Sequence, residues 1–261
     1  MKLTIYRADA FTDKLFSGNP AAICPLESWL SDETMHNIAM ENNLSTTAFY
    51  IKTGNEYYIR WFTPAVELEL NGNATLAAAH ILMKHEGHTD KEIKFNSKSG
   101  LLTVKNLGDF YTLNFPADEY ELVKTPAELS IALNMRPNEC YKGKADYMLV
   151  YNNEDDILKL KPNFRAMSLV ESRGVIVTAP GNKTDFVSRF FAPQNGVNED
   201  SVTGSAHITL TPYWAKKLGK KELTAMQVSK RTGFLKCTDL GDRVEISGQA
   251  VTYLKGEISI N

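Results

Sequence analysis

The chain has 261 residues, 29 basic against 31 acidic side chains for a formal charge of −2, and 43% hydrophobic residues. That balance is ordinary for a globular protein, gives no basic footprint for nucleic acid, and leaves no apolar stretch approaching the length of a membrane span. Three cysteines, Cys24, Cys140 and Cys237, are widely spaced and never form a CxxC pair, so neither a disulfide framework nor a zinc knuckle is expected, and a reducing cytoplasm is the expected location.

In chain order, residues 2–10 alternate like a strand and lack the long apolar core of a signal peptide. An SGNPAA turn leads into a second apolar run, and Ser31 is placed to cap a helix with Asp32 and Glu33 in its first turn, ending near Asn42 or Asn43. The stretches Thr46–Lys52 and Tyr57–Thr63 are rich in β-branched and aromatic residues, with Gly54 and Asn55 between them, and predict a hairpin. VELEL then leads to Gly72, from which a helix is expected to run to a stop at Gly87. Strands are expected near 91–96, 101–105 and 110–115.

The acidic segment between Pro116 and Pro126 is the best linker candidate, dividing the chain into domains 1–117 and 118–261, with a return of the last strand to the first domain left open. Beyond it a helix near 127–134, strands near 146–151, 173–178 and 185–191, a helix from Gly204 and several closing strands are expected. Neighbouring strands around a central helix in each half favour α+β over a doubly wound parallel sheet.

The order of parts repeats. RWFTP (60–64) returns as RFFAP (189–193), NGNATLAAAH (71–80) is echoed by TGSAHITLTP (203–212), and SKSGLLTVKNLGD (97–109) by SKRTGFLKCTDLGD (229–242). A period of about 130 residues is far too long for a solenoid and indicates domain duplication, with a pseudo-twofold molecule and one cleft between its halves.

Each copy places a glycine where a strand turns into a helix: Asn71, Gly72, Asn73, Ala74 and Thr203, Gly204, Ser205, Ala206. Free N–H groups at a helix start, with the positive end of its dipole, suit a carboxylate or a developing oxyanion. A single such junction is as readily a plain cap; two in matching context point to a ligand.

The runs NPAA, ENNLSTTAFY, RWFTPAVELELNGNATLAAAH and NEDSVTGSAH resemble the phenazine-biosynthesis PhzF-like family, related to diaminopimelate epimerase and proline racemase, over essentially the whole chain. The resemblance implies a diaminopimelate epimerase-like α+β fold of two pseudo-symmetric domains, each a curled β-sheet around a central helix, a homodimer, and cofactor-free isomerisation of a small carboxylate-bearing metabolite by proton transfer. Where the family reads SETAF this chain has Ser45, Thr46, Thr47, Ala48 and Phe49, so Thr46 stands at the general base; where it reads CGHAT, Asn71 and Asn73 replace the cysteine and the supporting histidine. In EDPATGSA, Ser201 replaces the proline while Glu199, Asp200, Gly204, Ser205 and Ala206 are kept. The resemblance thus puts Asp200, Thr46 and Asn73 at catalytic positions and Gly72, Gly204, Ser205 and Asn71 at substrate-binding ones.

Threonine and asparagine cannot shuttle a proton near neutral pH, so either the chemistry has moved, with Asp200 the best surviving acid/base, or the protein is a non-catalytic small-molecule binder on the same fold. His207 is a weaker candidate for which a packed helix position is favoured, and Glu41 is expected at a solvated helix end. Glu67 and Glu69 share a strand face, with a structural role favoured over cation binding. His85, Glu86 and His88 fall at a helix end without a distant partner, so no metal is assigned. The lysines at 216, 217, 220 and 221 make a solvated helix end with no partner, and no GxGxxG, P-loop or GxSxG is present.

Overall fold

In the computed structural model, which describes residues 1–260, the first half runs β1 (Lys2–Ala10), β2 (Asn19–Leu26), α1 (Asp32–Asn42), β3 (Thr46–Thr53), β4 (Glu56–Phe62), β5 (Glu67–Leu68), α2 (Gly72–His85), β6 (Glu92–Ser97), β7 (Gly100–Leu107) and β8 (Phe110–Pro116). Then come β9 (Tyr120–Leu122), α3 (Ala127–Leu133), β10 (Glu139–Gly143), β11 (Asp146–Val150), α4 (Glu154–Lys159), α5 (Phe164–Met167), β12 (Gly174–Pro180), β13 (Phe186–Ala192) and β14 (Val197–Asp200). The chain closes with α6 (His207–Leu218), β15 (Glu222–Gln227), β16 (Gly233–Asp239), β17 (Arg243–Gly248) and β18 (Ala250–Ser259).

The duplication is a duplication of strand pairing. In the first half β2 lies parallel to β3, β3 antiparallel to β4, β4 antiparallel to β5 but parallel to β6, and β6 antiparallel to β7. In the second half β11, β12, β13, β14, β15 and β16 repeat that sequence of relations term by term. β1 is flanked by β2 and β18, and β10 by β11 and β9, all antiparallel. One compact unit therefore comprises residues 1–114 together with those from Ser247 onward, and the other Phe115–Ile246. The last strand is counted with the first unit because β18 gives β1 the outer neighbour that β9 gives β10. The segment expected to be a linker is thus structural in part: β9 lies within it.

Local chemistry explains the helices. Ser31 caps α1 by accepting the Thr34 N–H at 3.1 Å, and Asn43 ends it in the left-handed region. α2 is buried from Asn73 through Leu82 and packs against β1, β2, β3, β7 and β18, which is why its sequence is small and apolar all round. In the second unit α3, α4 and α5 contribute Leu129, Leu133, Ile157 and Met167 to a core with Val175, Val177, Val187 and Phe191. The short α4 and α5 and strand β10 were not expected from the sequence.

The helix expected from Gly204 begins as a 3₁₀ turn over Gly204–Ala206, and α6 proper starts at His207. Pro212 inside α6 offers no N–H to the Ile208 carbonyl, which accepts instead from the Asp118 N–H at 3.2 Å. Among the described residues no helix is long and apolar enough to cross a membrane.

Candidate functional site

In the first unit the site is the start of α2 seen from β3. Asn71 is extended (φ −145°, ψ 116°), and its side-chain oxygen accepts the Ala74 N–H at 2.9 Å while its Nδ2 donates to the Thr46 Oγ1 at 3.0 Å. One amide thus caps the helix and ties it to the first residue of β3. Thr75 Oγ1 donates back to the Asn71 carbonyl at 2.5 Å, and Ser45 Oγ donates to Asn19 Oδ1 and the Pro20 carbonyl, both at 2.8 Å.

Thr46 is 1% exposed, and its hydroxyl is engaged by Asn71. The N–H groups of Gly72 and Asn73 belong to the first turn, where no intrahelical carbonyl can reach them. Asn73 is 7% exposed, and its Nδ2 is buried with no hydrogen-bond partner. A buried donor left unpaired costs about 1–3 kcal/mol, so this amide is the most demanding polar group at the junction.

In the second unit Asp200 ends β14, and its Oδ2 accepts the Thr203 hydroxyl at 2.6 Å. Gln227, fully buried on β15, fixes the turn between them: its Oε1 accepts the Thr203 N–H at 2.8 Å and its Nε2 donates to the Asp200 carbonyl at 2.9 Å. Ser229 Oγ donates to the Ser201 carbonyl at 2.6 Å and adds a second hold on the same turn.

Ser205 is held by Arg173, whose guanidinium donates to its Oγ at 2.8 Å. The same guanidinium forks onto Asp146, with Nε to Oδ1 at 2.9 Å and a second bond to Oδ2, and lies over the Phe190 ring at 5.6 Å. Burial works against the Arg173 charge, but the Asp146 carboxylate outweighs it and drives the pKa above its ordinary value, so a fixed cation stands beside Ser205.

His207 is fully buried; its Nδ1 meets the Thr203 carbonyl at 2.9 Å, its ring packs 5.9 Å from that of Phe186, and burial pushes its pKa down to about 4. It is a packing residue, neutral at physiological pH.

The structure therefore gathers the candidates in two groups. Thr46, Asn71, Gly72 and Asn73 meet at the start of α2, and Asp200, Gly204 and Ser205 lie around the start of α6. Arg173, Asp146 and Gln227 were missed: the strands near 146–151 and 173–178 were expected, but no motif or spacing marked these side chains within or beside their strands. Glu67 accepts two bonds from Arg60 and one from Lys98, which is the structural role favoured for it. Glu41 is exposed near the end of α1. His85, Glu86 and His88 are tied separately to Thr252, Tyr6 and Tyr57, and no group of three metal-ligating side chains occurs among the described residues.

Comparison with known proteins finds relatives of the chain as a whole. The family model described as phenazine biosynthesis-like protein matches residues 8–256. An uncharacterized isomerase of Pseudomonas aeruginosa is 46% identical over the full length of both chains. A crystal structure from Enterococcus faecalis, described as a phenazine biosynthesis protein of the PhzF family, is 44% identical, covers both chains completely and superposes with a TM-score of 0.97. A hydroxyproline epimerase from Agrobacterium vitis, 10% identical, covers 98% of this chain and 92% of its own with a TM-score of 0.64, a likeness of fold alone.

Proposed function

The chain belongs to the phenazine biosynthesis-like family, and from that premise we propose that it is a weakly active isomerase that moves a proton on a small carboxylate-bearing metabolite. The observation that carries this reading is the buried, unpaired Nδ2 of Asn73 beside the free N–H groups of Gly72 and Asn73: three donors at the positive end of a helix, in want of an anionic acceptor. The start of α6 offers the matching chemistry, with the N–H groups of Gly204 and Ser205 next to the Arg173 cation.

In this reading Asp200 carries the proton. Its carboxylate takes the proton from a carbon activated by the substrate's own conjugated system; the electron pair left behind spreads onto oxygen, where the N–H groups of Gly204 and Ser205 at the start of α6 stabilise it, and the proton returns at another carbon. Thr203, through its 2.6 Å hydrogen bond, orients the Asp200 carboxylate. No cofactor is invoked. The rate is low because Thr46 stands where the family resemblance calls for a glutamate, and loss of one acid/base group costs about 10²- to 10⁴-fold.

The test follows solvent deuterium into a dihydro-hydroxyanthranilate-type substrate by NMR. Slow incorporation that disappears in Asp200→Asn is the expected result. Stabilisation by the compound with no exchange at all would instead favour a binding protein without catalysis, a reading supported by the engagement of the Thr46 hydroxyl with Asn71. Exchange that survives Asp200→Asn would remove Asp200 from its role.

A further inference from the structure

A cavity lies in the first unit at the far end of α2 from Gly72. It encloses about 520 Å³, within the range of small-molecule sites, and Leu82 and Glu86 at the end of α2 form part of its wall. Leu82 and Glu86 lie ten and fourteen residues along from Gly72, about 15 and 21 Å at 1.5 Å per residue, so this cavity is not the site described above.

One of its lining residues carries a buried polar group with nothing to bond. Tyr50 is 4% exposed and lines the cavity, and its hydroxyl is buried with no hydrogen-bond partner. Native structures rarely leave such a group unpaired without a reason. Around it the Tyr57 ring stands edge-on at 5.7 Å, and Glu86 accepts the Tyr6 hydroxyl on Oε1 while its Oε2 makes no bond among the described residues. The carbonyl end of α2 adds partial negative charge at the same place. An open carboxylate oxygen, a helix C-terminus, two tyrosine rings and a free hydroxyl together suit an ammonium group.

The wall also carries a cation. Lys52 follows Tyr50 by two residues along β3 and so shares its face, and it forms no ion pair among the described residues, whereas Lys2 is already joined to Glu257 at 2.7 Å. Leu26, Leu30 and Leu82 give the lining an apolar part, and Glu27 is a second carboxylate in the wall.

We propose that this cavity binds a zwitterionic α-amino acid with an apolar side chain, its ammonium on Glu86 and the Tyr50 hydroxyl, its carboxylate on Lys52, and its side chain against Leu26, Leu30 and Leu82. The proposal is independent of the isomerase reading, because it uses none of the same residues.

Isothermal titration of the full chain with L-leucine tests it, with 4-methylpentanoate lacking the amine and 3-methylbutylamine lacking the carboxylate as paired probes. Saturable leucine binding at millimolar concentration or below is expected, with both analogues weaker. Tyr50→Phe, which keeps the ring and removes only the stranded hydroxyl, weakens leucine by about tenfold, as does Glu86→Gln. Asn73→Leu, at the far end of α2, leaves the affinity unchanged. Absence of leucine binding, binding indifferent to both Tyr50→Phe and Glu86→Gln, or binding abolished by Asn73→Leu would each overturn the assignment.

Discussion

Arg60 meets Glu67 with two parallel hydrogen bonds, Nε to Oε1 at 2.7 Å and a second guanidinium nitrogen to Oε2 at 2.9 Å. Arg189 meets Glu199 with the same two lengths, and each arginine also lies over the aromatic ring two residues on, Phe62 at 5.2 Å and Phe191 at 4.9 Å. The sequence repeat RWFTP and RFFAP is therefore a repeated clamp. It pins the strand that precedes each glycine-led helix start.

The first prediction tests that clamp. Arg60 and Glu67 side chains are 16% and 19% exposed, too sheltered for water to replace the lost partner fully. Arg60→Ala and Glu67→Ala should each cost about 1–3 kcal/mol in urea denaturation, and the double variant clearly less than their sum. Additive losses would show that the bidentate pair contributes nothing beyond the two separate side chains.

Much of this arrangement was legible in the chain, and the exceptions have physical causes. Ser31, Gly72 and the Gly54–Asn55 turn announced α1, α2 and the β3–β4 hairpin because caps and turns are local chemistry. β9 escaped because three residues between prolines carry no periodicity; it exists through pairing with β10. β10 itself holds mixed polar residues whose partners lie far along the chain, such as the Tyr213 hydroxyl that donates to the Glu139 carboxylate. At the site, Asn71, Asn73, Asp200 and Ser205 stood out by motif. Arg173 and Gln227 did not, because a side chain that arrives from another strand leaves no spacing to read.

His207 makes acid stability a test of burial. The unfolded imidazole takes a proton near its ordinary value of 6.5, while burial holds the folded one near 4. The folded pKa is depressed, so the unfolded chain binds the proton first on acidification. Stability is full above pH 6.5 and falls as the pH drops towards 4, by about 1.4 kcal/mol per pH unit for one such group. His80, also pushed down to about 4 by burial and then by His85 and Lys84, acts with the same sign. His207→Gln can keep a donor towards the Thr203 carbonyl and removes the titration, so unfolding free energies between pH 6.5 and 4.5 should fall about half as steeply. An unaltered slope would mean that His207 is reached by water in the folded state.

Asn73 couples stability to binding in opposite directions. Its unpaired Nδ2 is a cost in the free protein, so Asn73→Leu, similar in volume and without the orphan donor, should raise the unfolding free energy by about 1 kcal/mol. The same change removes a donor meant for an anion. Thermal melts with and without a dihydro-hydroxyanthranilate-type compound check both halves: the variant melts higher alone and gains less from the ligand. A variant that melts lower would indicate that Asn73 already has a partner.

Restoring the proton carrier is the sharpest test of the functional reading. Thr46 is buried at the head of β3 with the Asn71 Nδ2 at 3.0 Å, so a glutamate introduced there would meet a hydrogen-bond donor in a sheltered setting. Burial raises a carboxyl pKa towards neutrality and the Asn71 donor opposes it, a balance suited to a group that must both take and return a proton. Asn73→His would add the imidazole that the family motif carries at the start of α2. Thr46→Glu combined with Asn73→His should increase solvent deuterium incorporation by at least about 10²-fold over the unmodified chain, with Thr46→Glu alone supplying the larger share. A double variant that melts normally yet exchanges no faster would show that the surrounding pocket, and not the missing acid/base pair, limits turnover, and the attribution of the low rate to Thr46 would fail with it.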